Sequence, residues 1–248
     1  MSAPMALPFG AAGSVVIPSY GAGDPCIRAN GTFCLHWFLT NFSSRFLPRV
    51  GEHVEMTAIA IALGFAIAMA AALLTHRFGR LEMPFANASA FFYTIPSIAF
   101  FQIMVPITGL GLLSIEIALV SYTLLVLFRN ILTGLREVPA EAREAATGMG
   151  FTRRQALLRI ELPLALPAII AGLRVATVTT ISLAAIAAYI TPLGLGAQIF
   201  NAISTGNDST ELIGACVLAI ALALLADLLI VLAQRLATPW LRAGRRTK

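Results

Sequence analysis

Residues 139–163 read PAEAREAATGMGFTRRQALLRIELP. Pro139 suits the first turn of a helix, where its missing N–H needs no partner. Ala142, Ala145, Ala146 and Met149 then follow at i, i+3, i+4 and i+7 as an apolar ridge of mostly small side chains. Glu141 and Glu144 flank that ridge. Gly148 and Gly150 close the helix, since either takes the left-handed conformation cheaply. Thr152 followed by Gln155 reads as a capping box, opening a second helix that runs through Leu157 and Ile160 toward Pro163. Alanines set between carboxylates admit a close partner groove with cations on its rim. On helical pattern alone, an amphipathic helix lying on a membrane fits equally well.

The sequence on either side is apolar. Of 248 residues, 58% are hydrophobic and 12% charged, about half the charged share of a soluble domain, and the mean hydropathy is +0.84. These figures exclude a water-soluble globule, a disordered chain, a collagen and a coiled coil. The net charge of +5 does not point to nucleic acid, because sixteen of the seventeen cations are Arg and cluster between apolar runs. Lysine occurs once, at Lys248, so no GxxxxGK[ST] phosphate loop is present and the chain is not expected to hydrolyse ATP alone. Three Cys and three His lack metal-ligand spacing, and no GxSxG nucleophile motif occurs. The sequence therefore offers no catalytic residue, no metal ligand and no cofactor site of its own.

Five apolar stretches, 54–75, 85–106, 112–128, 164–190 and 212–233, are long enough, or nearly so, to cross about 30 Å of hydrocarbon as helices. The expected fold class is all-α, a polytopic membrane protein with five core spans. With 76–84, 129–163 and the tail after 233 in the cytoplasm, thirteen of the seventeen cations lie on that side. The amino terminus is then outside and the carboxyl terminus cytoplasmic. Residues 1–51 form an external or interfacial segment, 52–238 the membrane domain and 239–248 a basic tail. Residues 1–24 fit neither a signal peptide nor a span, whereas 35–53 mix aromatic and polar side chains as an interfacial helix does. Cys26 and Cys34 stand where an oxidising compartment permits a disulfide, and two free thiols suit the sequence as well.

Glu116, Arg174 and Asp227 fall inside spans, where an unpaired charge costs at least about 2.5–3.5 kcal/mol at mid-depth. Arg174 and Asp227 lie about 15 Å and about 9 Å from the cytoplasmic ends of their spans, a gap that an Arg side chain closes, so an ion pair is predicted. Glu116, about 6 Å from the outer end, is expected to face water. One offset pair and one edge carboxylate make no continuous proton path, which favours a helix clamp over a relay. Pro96 is expected to kink the second span. With Tyr93, Ser97 and Gln102 it marks the candidate translocation route, although a packing kink accounts for it too.

Glu144, Ala145 and Ala146, Gly150 four positions on, Ile160 ten further, then Leu162 with Pro163, match without gaps the EAA signature of permease subunits in bacterial ABC importers. The chain resembles that family. EHVEMT (52–57), YTIPSIA (93–99), LFRNILTGLREVP (127–139) and PAIIAGLRVATV (167–178) look like its osmoprotectant branch, the glycine betaine, carnitine and choline type, over residues 52–233. ITPLGLG (190–196) departs from the IGAGGLG usual in relatives. The resemblance implies the type I importer permease fold in the bacterial inner membrane. It also implies a coupling loop, carried by Glu141, Glu144, Ala145, Ala146, Gly150, Ile160 and Pro163, that fits a cleft in an ATP-binding subunit. Implied partners are two such ATPase subunits, which hold ATP and Mg, a second permease and an extracytoplasmic substrate-binding protein that carries the aromatic cage. The EAA signature is shared with permeases for methionine, sulfonates and other small solutes, and an ion-driven secondary transporter is the alternative from another class.

Overall fold

The computed structural model describes residues 25–29, 32–205 and 208–239; residues 1–24 and all but the first residue of the basic tail lie outside them. Among the described residues every regular element is helical. A single turn, Pro25–Arg28, precedes α1 (Leu35–Arg77), α2 (Glu82–Thr94), α3 (Ser97–Thr108), α4 (Leu112–Arg136), α5 (Ala140–Gly148), α6 (Arg153–Ala187), α7 (Gly194–Ser204) and α8 (Ser209–Ala237). Four of these, α1, α4, α6 and α8, are long and apolar enough to cross a bilayer, and α2 with α3 adds a fifth passage if the bent pair counts as one.

The bundle is organised around α4, which packs along both α1 and α6. Small residues set these approaches. Ala60, Gly64, Ala68 and Ala72 recur every fourth position on α1 and are buried. A Cβ on Gly64 would sit 1.9 Å from Thr123 Oγ1, and one on Gly172 of α6 would sit 2.4 Å from Asn130 Cβ. Lipid tails are as apolar as leucine, so close backbone approach and dispersion, more than removal of apolar area from water, hold such helices together. Phe101, Ile115, Leu119 and Ala184 centre one core cluster; Phe128, Ile131, Leu135 and Ile169 centre a second, nearer the α4–α6 connection. A third joins Trp37 and Phe46 of α1 to Ala215 of α8.

Helix boundaries differ from those that hydropathy predicts. The 35–53 segment is not a separate interfacial helix: it continues through a π-helical turn, Phe42–Phe46, into the first span. The third span runs on to Arg136, and the fourth begins at Arg153 and ends at Ala187. Pro163 therefore does not end a loop helix. Its ring would press on the carbonyl four residues back, and that carbonyl belongs to a π-helical turn, Leu157–Glu161, where the ladder is already widened. The 191–211 connection contains α7, and Asp208 caps α8 by accepting from the amides of Thr210 and Glu211 at 3.0 and 3.1 Å.

The second span departs most from expectation. Instead of a kinked helix over 85–106, α2 and α3 meet at 100°. Ile95, pushed out of the helical region by the following proline, is extended at φ −70° and ψ 128°. Its carbonyl accepts the Tyr122 hydroxyl of α4, so the broken ladder is satisfied by a side chain. Helices of 13 and 12 residues reach about 20 Å each, and neither crosses the hydrocarbon alone.

Candidate functional site

The 137–152 segment folds as a knuckle. α5 opens after Pro139 and closes on Gly150 in the left-handed region, φ +77°. The Phe151 amide bonds the Ala146 carbonyl at 3.0 Å and the Gly150 amide bonds Thr147 at 2.9 Å, the paired bonds of a Schellman end. Gly148 stays helical. The capping box forms next: Thr152 Oγ1 accepts from the Gln155 amide at 3.3 Å, and Gln155 Oε1 accepts from the Thr152 amide at 2.9 Å.

The alanine ridge splits between two faces. Ala146 is fully buried and Ala142 half-buried, turned toward the chain's own body, while Glu141, Glu144, Ala145 and Met149 are exposed. At 100° per residue the four positions span an arc of about 100° with Ala145 and Ala146 at its two edges, and the body of the chain covers only the Ala146 edge. Ala146 thus seats the knuckle from within, and the outward face carries two carboxylates beside Ala145 and Met149. Ile160 and Pro163 are half-buried under the knuckle, at the root of α6.

Three residues that sequence reasoning missed hold the knuckle to the bundle. Glu161 is buried at the end of the π turn, with Oε2 2.7 Å from His76 Nε2 on α1 and 3.9 Å from Arg143 Nε on α5. Arg143 Nη2 donates to the Leu135 carbonyl, on the last turn of α4, at 2.6 Å. A carboxylate and a histidine next to Arg-rich termini were visible signals, but their meeting depends on helix rotation. Nearby, Arg136 pairs with Glu82 through its two terminal guanidinium nitrogens, tying α4 to the start of α2.

At the opposite end of the bundle, EHVEMT and ITPLGLG meet. Glu52 Oε2 accepts the Gly194 amide at 2.8 Å, and His53 Nδ1 accepts the Leu195 amide at 3.3 Å while its Nε2 lies 3.0 Å from the Ile181 carbonyl. Arg49 bonds both Glu52 and the Pro192 carbonyl. Gly196 allows the closest approach, because a Cβ there would stand 2.0 Å from the Ala185 carbonyl oxygen.

Within the membrane region, Arg174 Nε and Nη2 donate to the two carboxylate oxygens of Asp227 at 2.7 and 2.9 Å, joining α6 to α8. Glu116 does not face water. It is 7% exposed, and neither carboxylate oxygen has a hydrogen-bond partner among the described residues. Depth along a span says nothing of rotation, and position 116 turns into the α4 core beside buried Ile115. Tyr93, Pro96 and Ser97 gather at the α2–α3 elbow, where Tyr93 meets Tyr122 edge-on at 6.1 Å; Gln102 lies further along α3 and is exposed.

Residues 60–243 match a protein family described as the inner membrane component of binding-protein-dependent transport systems. The chain belongs to this family. The permease is thus a multi-pass protein of the bacterial cytoplasmic membrane, and its knuckle lies inside the matched region. It is 36% identical to the osmoprotectant import permease protein OsmW of Salmonella typhimurium, covering 83% of this chain and 97% of the relative. It is 31% identical to the choline transport system permease protein OpuBB of Bacillus subtilis, covering 82% and 93%. A chain of the MetNI methionine ABC transporter, solved inward-facing, superposes with a TM-score of 0.71 at 23% identity, covering 82% of this permease and 97% of that chain. The type I importer permease fold is shared.

Proposed function

We propose that this permease is the translocating subunit of an ATP-driven importer that moves an osmoprotectant of the quaternary ammonium class into the cell by alternating access. The observation that carries the reading is similarity across most of both chains to osmoprotectant and choline permeases. The broken α2–α3 pair makes a fifth passage, the amino terminus lies outside and the carboxyl terminus in the cytoplasm. The Cys26–Cys34 disulfide is in keeping with an oxidising exterior. Two ATPase subunits, which hold ATP and Mg, receive the exposed carboxylate face of α5 on each of two permeases, and an extracytoplasmic binding protein delivers the solute. Closure of the ATPase pair draws the knuckles together and turns the pathway outward. The elbow residues Tyr93, Pro96 and Ser97, with Gln102 beyond them, line that pathway.

Uptake of a panel of labelled solutes, in a strain lacking its own osmolyte importers, tests the substrate class. Betaine, carnitine or choline should accumulate in an ATP-dependent manner, and accumulation of methionine or a sulfonate instead would overturn the assignment. Glu144→Arg tests the docking face. Its side chain is exposed, so insertion should be normal, while ATPase subunits are lost from the purified complex and transport falls to background. Retention of both subunits with normal uptake would remove α5 from the interface.

A further inference from the structure

We propose that Glu161, reached by His76 from α1 and by Arg143 from α5, is the positioning residue of a latch through which movement of the knuckle is passed to the membrane helices. This rests on α5 docking an ATPase subunit. A helix of nine residues with most of its surface exposed transmits force only through what it grips. Beyond the chain connections at its ends and the seat of Ala146, the grip is Arg143. One arm of its guanidinium holds the last turn of α4 through the Leu135 carbonyl. The other, Nε, is buried without a hydrogen-bond partner among the described residues and faces Glu161 Oε2 from 3.9 Å.

That distance is too long for a hydrogen bond and about 1 Å from a good one. A buried donor left unpaired raises the free energy of the arrangement that contains it, so a small shift of α5 toward the root of α6 forms the missing bond and recovers that cost. The carboxylate it would meet is already fixed from behind, because His76 Nε2 holds the same oxygen at 2.7 Å. Glu161 also closes a π-helical turn, a place where a helix ladder changes register at little cost. The latch therefore has a loose form, seen here, and a tight form in which α1, α5 and α6 move as one body while Arg143 keeps its hold on α4. Glu144 and Ala145 of the EAA triplet face outward with the docking face and Ala146 only seats the knuckle, so none of them supplies this link.

The test uses the complete importer, with its ATPase subunits and binding protein, reconstituted in liposomes. Solute imported per ATP hydrolysed is read together with retention of the ATPase subunits. Glu161→Gln and His76→Leu should retain the subunits and hydrolyse ATP within about twofold of the parent, while import per ATP drops about fivefold or more. His76→Gln, which keeps an N–H donor near the same place, should restore most of the ratio. Arg143→Lys replaces the two-armed grip by a single ammonium at a partly exposed position and should also lower it, which provides a reading should Glu161→Gln not fold. A parental ratio in Glu161→Gln, His76→Leu and Arg143→Lys, or hydrolysis and import falling in parallel, would overturn the latch. Failure of the unsubstituted chain to retain ATPase subunits through α5 would overturn the docking reading and the latch with it.

Discussion

Gly148 and Gly150 stand two residues apart, and substitution separates their roles. Gly150 sits at φ +77°, where an L side chain meets the following carbonyl at a cost of about 1–2 kcal/mol. Gly148 is helical with open space around it, so alanine there gains up to about 1 kcal/mol by restricting the unfolded chain. Thermal unfolding in detergent should accordingly shift down for Gly150→Ala and hold or rise for Gly148→Ala; equal shifts would mean the turn is not ordered as described. The turn was legible in the sequence because glycine spacing and the Thr152–Gln155 box are local chemistry. The buried seat of Ala146 was not, since four alanine-ridge positions look alike until the body of the chain takes one side. The Glu161–His76 contact spans 85 residues of sequence and is set by the rotation of two helices about their axes, which no local pattern records.

Hydropathy marks where lipid begins and ends, and helices obey a different rule. α4 and α6 continue past their apolar runs through Arg-bearing turns because backbone hydrogen bonding does not stop at the membrane surface, so their ends do not coincide with those that hydropathy predicts. The α2–α3 elbow shows the same division. Pro96 announced a defect, while its 100° amplitude depends on Tyr122, which sits on another helix and takes over the Ile95 carbonyl. Tyr122→Phe leaves that carbonyl without its donor, at about 1–3 kcal/mol if no water replaces it. Backbone hydrogen exchange at residues 97–101 should speed up relative to α1, and solute uptake should slow. Unchanged exchange would show that the proline alone holds the bend.

Across the whole molecule, one axis orders the parts. The Glu52–His53 clamp on Gly194–Leu195 and the Cys26–Cys34 bridge belong to the end from which α1 enters, and the knuckle with its Glu161 latch belongs to the end where α1, α4 and α6 carry their Arg-rich turns. In the proposed orientation, which keeps the cation-rich end from translocation, the second end is cytoplasmic and is the one that an ATP-driven partner would reach. Between them α8 leaves Leu224, Leu225, Leu228 and Leu229 uncovered, a surface suited to lipid or a second permease. The orientation is open to direct measurement. With Cys216→Ser removing the free thiol, an impermeant maleimide should modify Ser204→Cys, at the exposed end of α7, in spheroplasts. It should modify Thr147→Cys, on exposed α5, only after lysis. The reverse pattern would place the knuckle outside the cell, where no nucleotide-driven subunit could reach it.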